Sequence, residues 1–337
     1  MDNRPILGVT MGDPSGAGPE IVTKTWCDPA MRALGRMVVI GDAGCMAQAM
    51  RITGVCGEVR AVARVADARY EEGTLDVLDL QNVDLTALQF GRVQAMSGKA
   101  AYEAVAKAIE LAVAGEIDAI VTSALNKEAM NLAGYHYDGH TEILAELTGT
   151  KSVTMMLTAG DFRVTHVSTH CSLREAIERV KKQRVLDVIH LTHDALRLMG
   201  IAAPRLAVAG LNPHAGEGGL FGDEDMKEIQ PAIDAARAEG LDVYHCPVPP
   251  DTVFYRMSGP KQFDAVVAMY HDQGHIPTKV LGFADGVNVT LGLPIIRTSV
   301  DHGTVFGKAG KGTADPTSLK RAIEVAVLMA RGRAAGA

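Results

Sequence analysis

The chain has no excess of positive charge. Its 33 lysines and arginines are outnumbered by 40 aspartates and glutamates, giving a net charge of −7, with no long run of either sign. A nucleic-acid surface normally shows a basic stripe, and adhesion to anionic membranes needs a polybasic patch, so neither partner is expected. Cysteine is scarce: Cys27, Cys45, Cys56, Cys171 and Cys246 are odd in number, scattered, and without C-x-x-C spacing. That pattern excludes a disulfide framework and a cysteine zinc site, and it fits a reducing compartment. No stretch approaches the roughly 18 uninterrupted apolar residues that suggest a membrane span. The apolar part of MDNRPILGVTMGD is too short for a signal peptide, and a strand-and-turn pattern follows at once. The chain reads as cytoplasmic, and any anionic ligand must be held by a few local cations.

What is present is an ordinary globular composition, 47% hydrophobic and 22% charged over 337 residues, long enough for two domains. Short β-branched runs alternate with helical patterns: Ile6 to Met11, then Pro19 to Trp26; Met37 to Gly41, then Asp42 to Arg51; the strong helix formers of Lys99 to Ala114, then the strand Asp118 to Val121. The strand signal recurs at 205–211, 264–270 and 286–292. Such alternation implies βαβ units and mainly parallel sheet, whose ligands sit outside the carboxyl ends of strands. Val153 to Met156 and Arg163 to Val167, joined through Ala159-Gly160-Asp161, read instead as a hairpin in a mixed sheet. The Ala/Gly-rich tail from Gly332 reads as loose.

The segment VTMGDPSGAGPEIV places a glycine-rich loop between a strand and a helix. As a Rossmann fingerprint it fails, since Gly16 and Gly18 fit but the third position is Ile21; as a Walker loop, Ser97-Gly98-Lys99-Ala100 lacks the first glycine and the hydroxyl. A P-loop kinase is thereby excluded. A tight turn and a loop bordering a site both remain open for residues 12–18, with Pro19 opening the helix.

The histidines carry more. His170 ends VTHVSTH, His214 follows VAGLNP, and His271 follows AVVAMY, each beside turn residues at a strand's carboxyl end. A single such histidine is more often a satisfied structural group, whereas three suit a divalent metal with a position left for substrate. His166/His170 and His271/His275 show i, i+4 spacing, which aligns two rings only on a helix. His140 and Thr141 stand at the start of the helical TEILAELTG, as a plain cap or an anion site. Lys279, Asn288 and Arg297 lie near strand ends, and small residues surround Asp301 and His302 in SVDHGTVFGKAGKGTADP (299–316). Cations there are what an acidic protein needs to hold a phosphate or carboxylate.

Together MGDPSGAGPE, GHTE, THCSLREA, GLNPHAGEGG, AMYHDQG and GVNVTLGLPIIRTSVDHGT resemble the 4-hydroxythreonine-4-phosphate dehydrogenase family, PdxA of vitamin B6 synthesis, over essentially the whole chain. GDPSGAGPE and HGTVFGKAGKGTADP are also similar to GDGIGPE and to the NAD loop of the wider isocitrate and isopropylmalate dehydrogenase group. The resemblance implies two α/β domains around a cleft, with residues 1–130 and 284–337 forming the domain that carries the NAD loop. Residues 131–283 would form a central domain with the metal ligands and dimer contacts. It places a divalent metal (zinc, or Mg, Mn or Co) on His170, His214 and His271, and the substrate on His140, Thr141, Lys279, Asn288 and Arg297. NAD would lie against Asp301, His302, Gly303, Thr304, Gly310 and Asp315, in a homodimer whose active site draws on both subunits.

The implied chemistry is oxidation at C3 of a phosphorylated four-carbon hydroxy acid followed by loss of CO2, with Lys279 as base if its pKa is depressed and Asp272 supporting a liganding histidine. Two departures bear on the substrate. YHDQG is followed by HIPTK, with His275, where the B6 enzymes carry an apolar segment, and GHTEILAELTG replaces their more aromatic GHTEFF. Both resemble the sister branch that converts D-threonate or D-erythronate 4-phosphate to dihydroxyacetone phosphate. The 4-hydroxy-L-threonine 4-phosphate enzyme is the alternative, and a dihydrodiol dehydrogenase relative a more distant third. A two-lobed solute receptor is the rival class; the missing signal peptide and the histidines count against it.

Overall fold

A computed structural model describes residues 2–282 and 285–336. The chain divides into two compact units, Met1–Lys151 with Leu293–Arg331, and Ser152–Gly292 with Gly332–Ala337. The first unit thus runs past the expected limit at 130, and the expected return at 284 falls outside the described residues. The reason is packing: Ile143 and Leu144, fully buried, join the same core as Ala104, Val105, Ala108 and Ile109. His140 and Thr141 therefore belong to the first unit.

The first unit begins with β1 (Ile6–Thr10), α1 (Gly18–Trp26), α2 (Pro29–Leu34), β2 (Arg36–Gly41) and α3 (Ala43–Thr53). It continues with β3 (Glu58–Val62), β4 (Thr74–Asp79), α4 (Ala95–Val113), β5 (Ala119–Thr122), α5 (Lys127–Leu132) and α6 (His140–Thr148). Local chemistry sets the boundaries. Asp42 caps α3 by accepting from the Cys45 amide at 2.9 Å, and Gly54 ends it in the left-handed region at φ 68. The SGK triplet read as a failed Walker loop lies inside α4. There Gly98 meets α5 so closely that a Cβ would stand 2.1 Å from the Ala129 backbone.

The second unit contains β6 (Thr154–Ala159), β7 (Phe162–His166), α7 (Leu173–Arg179), α8 (Lys182–Leu198) and β8 (Leu206–Val208). After these come α9 (Gln230–Ala238), α10 (Pro250–Ser258), β9 (Ala265–Ala268), α11 (His271–Gly282) and β10 (Val287–Leu291). The chain then returns to the first unit with β11 (Arg297–Val300), and α12 (Thr317–Ala334) follows. Of the tail expected to be loose from Gly332, residues to Ala334 continue α12, Gly332 packing where a Cβ would stand 2.0 Å from the Leu198 carbonyl, while Ala335 and Gly336 are exposed beyond the helix.

In the first unit the strands run in the order β3-β4-β2-β1-β5-β11, all parallel. In the second, the order is β10-β6-β7-β9-β8. There β6 and β7 form the expected antiparallel hairpin, Ala159 opposite Phe162, β10 is antiparallel to β6, and β7, β9 and β8 are parallel. Each unit therefore offers one edge of parallel carboxyl ends: β1, β5 and β11 in the first, β7, β9 and β8 in the second.

Candidate active site

In the first unit, four polar atoms without protein partners lie on segments beyond those carboxyl ends. Among the described residues, Asp13 Oδ2, Ser123 Oγ, His140 Nε2 and His302 Nε2 are enclosed and meet no hydrogen-bond partner. Buried polar groups are normally satisfied, so a set of exceptions calls for a ligand or strain. The loop of Asp13 is tied to the one after β5, its amide donating to the Ala124 carbonyl at 3.0 Å. Burial pushes the Asp13 carboxyl up to about 6, against the amides of Ser15 and Gly16. Neither Asp13 nor Ser123 was singled out from sequence, since a lone aspartate or serine in a turn carries no signal of its own.

His140 opens α6 behind Gly139, and no side chain caps that helix. Burial first, and the Arg297 charge second, hold the His140 ring well below the ordinary imidazole pKa, so it is neutral. Arg297 is buried at the start of β11, donating through Nε and Nη2 to Thr122 Oγ1 at 3.1 and 2.7 Å. Burial lowers its pKa to about 9, with Glu142 acting in the opposite direction, and it remains a cation at neutral pH. An uncapped helix start and a buried guanidinium make an anion-accepting corner, and the neutral His140 ring, whose N–H serves the Ser123 backbone, leaves its enclosed Nε2 as an acceptor for a hydroxyl.

The loop 301–316 is the other notable part of this unit. His302 Nδ1 bonds the Gly303 carbonyl at 2.8 Å, and the Thr304 carbonyl accepts from Ala17 at 2.9 Å. An added Cβ on Gly303 or Gly307 would meet open space. Asp315 is engaged at the start of α12, its Oδ1 accepting from Thr317 N and Oγ1 at 3.0 and 2.6 Å.

In the second unit, His166 is the last residue of β7, with His170 beyond it, and His271 opens α11 after β9. The 271/275 spacing does fall on a helix, and those rings stack 3.6 Å apart. The 166/170 spacing spans a strand end, as read. His166 is fully buried, and burial first, then His275, pushes its pKa down to about 3. His275, whose role the sequence left open, places Nδ1 3.2 Å from His166 Nε2 and 3.0 Å from the His271 carbonyl. Gln273, not anticipated, ties two strand ends together: its Oε1 accepts from Met269 N at 2.6 Å and its Nε2 donates to Gly210 O at 2.7 Å.

His170 and His271 are neighbours, ring centres 5.7 Å apart. They border a cavity of about 330 Å³ together with Cys171, Leu173, Tyr270 and Asp272. Asp272 Oδ1 lies 2.6 Å from His271 Nδ1, the arrangement that fixes an imidazole with Nε2 outward. The expected triad is not assembled, however. Among the described residues no three His, Cys, Asp or Glu side chains stand close enough to hold a metal ion. His214 sits in a left-handed run from His214 (φ 53) to Gly218 (φ 68), anchored through Asn212 to the buried Asp225, with its ring facing Phe221 at 6.4 Å. On β10, Asn288 Oδ1 is buried without a partner among the described residues, and its Nδ2 lies 2.8 Å from Met155 Sδ. Lys279 is half-buried on α11.

Comparison with known proteins decides the family. The family described as Pyridoxal phosphate biosynthetic protein PdxA matches residues 33–326. The chain belongs to the PdxA family. It is 48% identical over 334 residues, 99% of both chains, to the D-threonate 4-phosphate dehydrogenase of Cupriavidus necator. It is 51% identical over 321 residues to the 4-hydroxythreonine-4-phosphate dehydrogenase of Beijerinckia indica subsp. indica, covering 95% of this chain and 94% of that one. The crystal structure of a 4-hydroxythreonine-4-phosphate dehydrogenase from Burkholderia phymatum superimposes with a TM-score of 0.86 at 47% identity, covering 97% of this chain and 99% of that one. At the level of fold alone, a β-decarboxylating dehydrogenase from Thermococcus kodakarensis is similar, with a TM-score of 0.50 at 11% identity, covering 94% of this chain and 80% of that one. These PdxA relatives are dehydrogenases, and the chain is an oxidoreductase. Among the described residues no helix is long and apolar enough to cross a membrane.

Proposed function

We propose that the protein is a metal-dependent, NAD-linked dehydrogenase that decarboxylates D-threonate or D-erythronate 4-phosphate to dihydroxyacetone phosphate and CO2. The observation carrying this reading is the match to a D-threonate 4-phosphate dehydrogenase over 99% of both chains. Bound NAD supplies the hydride acceptor and a divalent metal the Lewis acid; all other tasks fall to the chain itself. His170 and His271 fit such a metal, with Asp272 holding the His271 ring, and the third ligand comes across a homodimer. Loop 301–316 fits the adenosine half of NAD: Gly303 and Gly307 leave its backbone open, and His302 offers an enclosed Nε2.

The substrate loses a hydride from C3 and a proton from its C3 hydroxyl; the 3-keto acid then releases C1 as CO2, and C2 takes up a proton. Lys279 accepts the hydroxyl proton. Arg297 and the α6 start with Thr141 hold anionic substrate groups, His140 accepts from a substrate hydroxyl through Nε2, and Asn288 orients a substrate donor through its unpartnered Oδ1.

A second reading, 4-hydroxy-L-threonine 4-phosphate dehydrogenase, is favoured by the 51% identity to the Beijerinckia relative. The two differ at C2, hydroxyl against amine. Absorbance at 340 nm decides between them when the wild type and Lys279→Met are each given NAD⁺ and Mg²⁺, Mn²⁺, Co²⁺ or Zn²⁺ with each of the three 4-phosphates, with EDTA controls. Reduction on the acid-sugar phosphates, abolished by EDTA and in Lys279→Met, is expected. Turnover confined to the amino substrate would establish the second reading, and near-normal turnover by Lys279→Met would remove the lysine from its role.

A further inference from the structure

The glycine-rich motif after β1 ends in Gly18-Pro19-Glu20, and Glu20 is 1% exposed in the first turn of α1. Its carboxylate does not serve its own helix. Oε1 accepts from the Gly310 amide at 2.5 Å and Oε2 from the Gly312 amide at 2.6 Å, across 290 and 292 positions of sequence. One turn further along α1, Lys24 Nζ donates to the Ala314 carbonyl at 2.8 Å. Three backbone groups of one loop are thus gripped by two side chains of one helix, a carboxylate on the amides and an ammonium on the carbonyl.

Gly310 and Gly312 both have left-handed backbones, φ 76 and φ 65. Backbone amides presented by turns of this kind form a concave nest that attracts an anion. Here the protein supplies that anion itself. Between Asp301 and Pro316 the only helical turn among the described residues is the three-residue Phe306–Lys308. A segment with so little internal hydrogen bonding would otherwise sample many conformations, and ordering it would weaken any ligand it holds.

We infer that Glu20 and Lys24 are positioning residues that pre-form loop 301–316 for the dinucleotide, with Glu20 filling the backbone nest at 310–312. The inference rests on the reading of that loop as the NAD site. It assigns the opening motif a task distinct from phosphate binding: α1 sets the loop's shape without touching the ligand. Glu20 carries the larger share, because its two charge-assisted bonds are buried while Lys24 makes one at the rim.

The test combines amide hydrogen exchange with equilibrium binding of NAD⁺ by intrinsic fluorescence, on full-length wild type, Glu20→Gln, Glu20→Asp and Lys24→Met. Far-ultraviolet circular dichroism confirms folding, and Lys24→Met stands in if Glu20→Gln does not fold. In Glu20→Gln the amides of 310 and 312 lose protection, and the NAD⁺ Kd rises about tenfold or more, as expected for a lost charge-assisted hydrogen bond. The Kd for inorganic phosphate should stay within about twofold of wild type, since that reports the separate anion corner at α6. Lys24→Met shifts in the same direction by less, and Glu20→Asp, keeping the charge but shortening the reach, falls between. Wild-type protection at 310 and 312 in Glu20→Gln would overturn the clamp. Lost protection with an unchanged NAD⁺ Kd would overturn its link to the dinucleotide. Absence of NAD⁺ binding by the wild type would instead refute the functional reading, while the exchange data still judged the clamp.

Discussion

At the scale of single residues, Asp13 is the group whose charge and surroundings conflict most openly. Its carboxyl is 1% exposed, one oxygen has no partner among the described residues, and burial raises its pKa to about 6 from an ordinary 3.8. A carboxyl with a raised folded-state pKa favours folding when protonated; that contribution is full below pH 3.8 and is lost as pH rises through 6. Asp13→Asn should therefore stabilise the protein at pH 7 to 8, by about 3 kcal/mol at most given the size of the shift, and hardly at all at pH 4. Urea unfolding of both proteins across that range checks it, and an equal difference at both ends would refute the argument. The residue scale is also where sequence reading was weakest. Histidines at strand ends announce themselves because imidazole is chemically distinctive, whereas Asp13, Ser123 and Gln273 matter through enclosure, which a string of residue types does not record.

At the scale of elements, the alternating pattern located strands and helices well, and the hairpin of β6 and β7 was visible in its turn residues. What the pattern could not supply was the reason for the Gly98 in SGK. Its motif comparison asked about phosphate; the answer is helix packing, with a Cβ at this position reaching 2.1 Å from the Ala129 backbone. Backbone cannot yield as a flexible side chain does, so α4 and α5 must separate in Gly98→Ala. The expected cost is at the upper end of the about 1–3 kcal/mol typical of overpacking, read as a lower urea midpoint with an unchanged slope. Retained stability would mean that the two helices are less tightly opposed. The tail is in part the converse case: the Gly/Ala-rich stretch from Gly332 looked loose by composition, yet Gly332 itself lies where a Cβ would stand 2.0 Å from the Leu198 carbonyl.

At the scale of the whole molecule, α11 leaves Ile276, Val280 and Leu281 exposed at 59, 79 and 58%, with the first two one turn apart on the same face. These residues are where the proposed homodimer is best sought, since apolar surface is what association covers and a closed two-fold dimer is the commonest oligomer. Sedimentation should give twice the 35.7 kDa of one chain, and Val280→Glu should shift the mass toward the monomer; a monomeric wild type would end the dimer proposal and, with it, the proposed third ligand of the proposed metal. The sequence by itself determined the α/β class, the loops at strand ends and the family, because side-chain periodicity, turn preferences and long motifs are properties of neighbouring residues. Only the tertiary structure decided that His170 and His271 come to stand as neighbours, that His140 belongs with the first unit, and that Glu20 reaches Gly310 across 290 positions. Those outcomes depend on how cores pack and which polar atoms are thereby enclosed, and no local rule of chain chemistry contains that information.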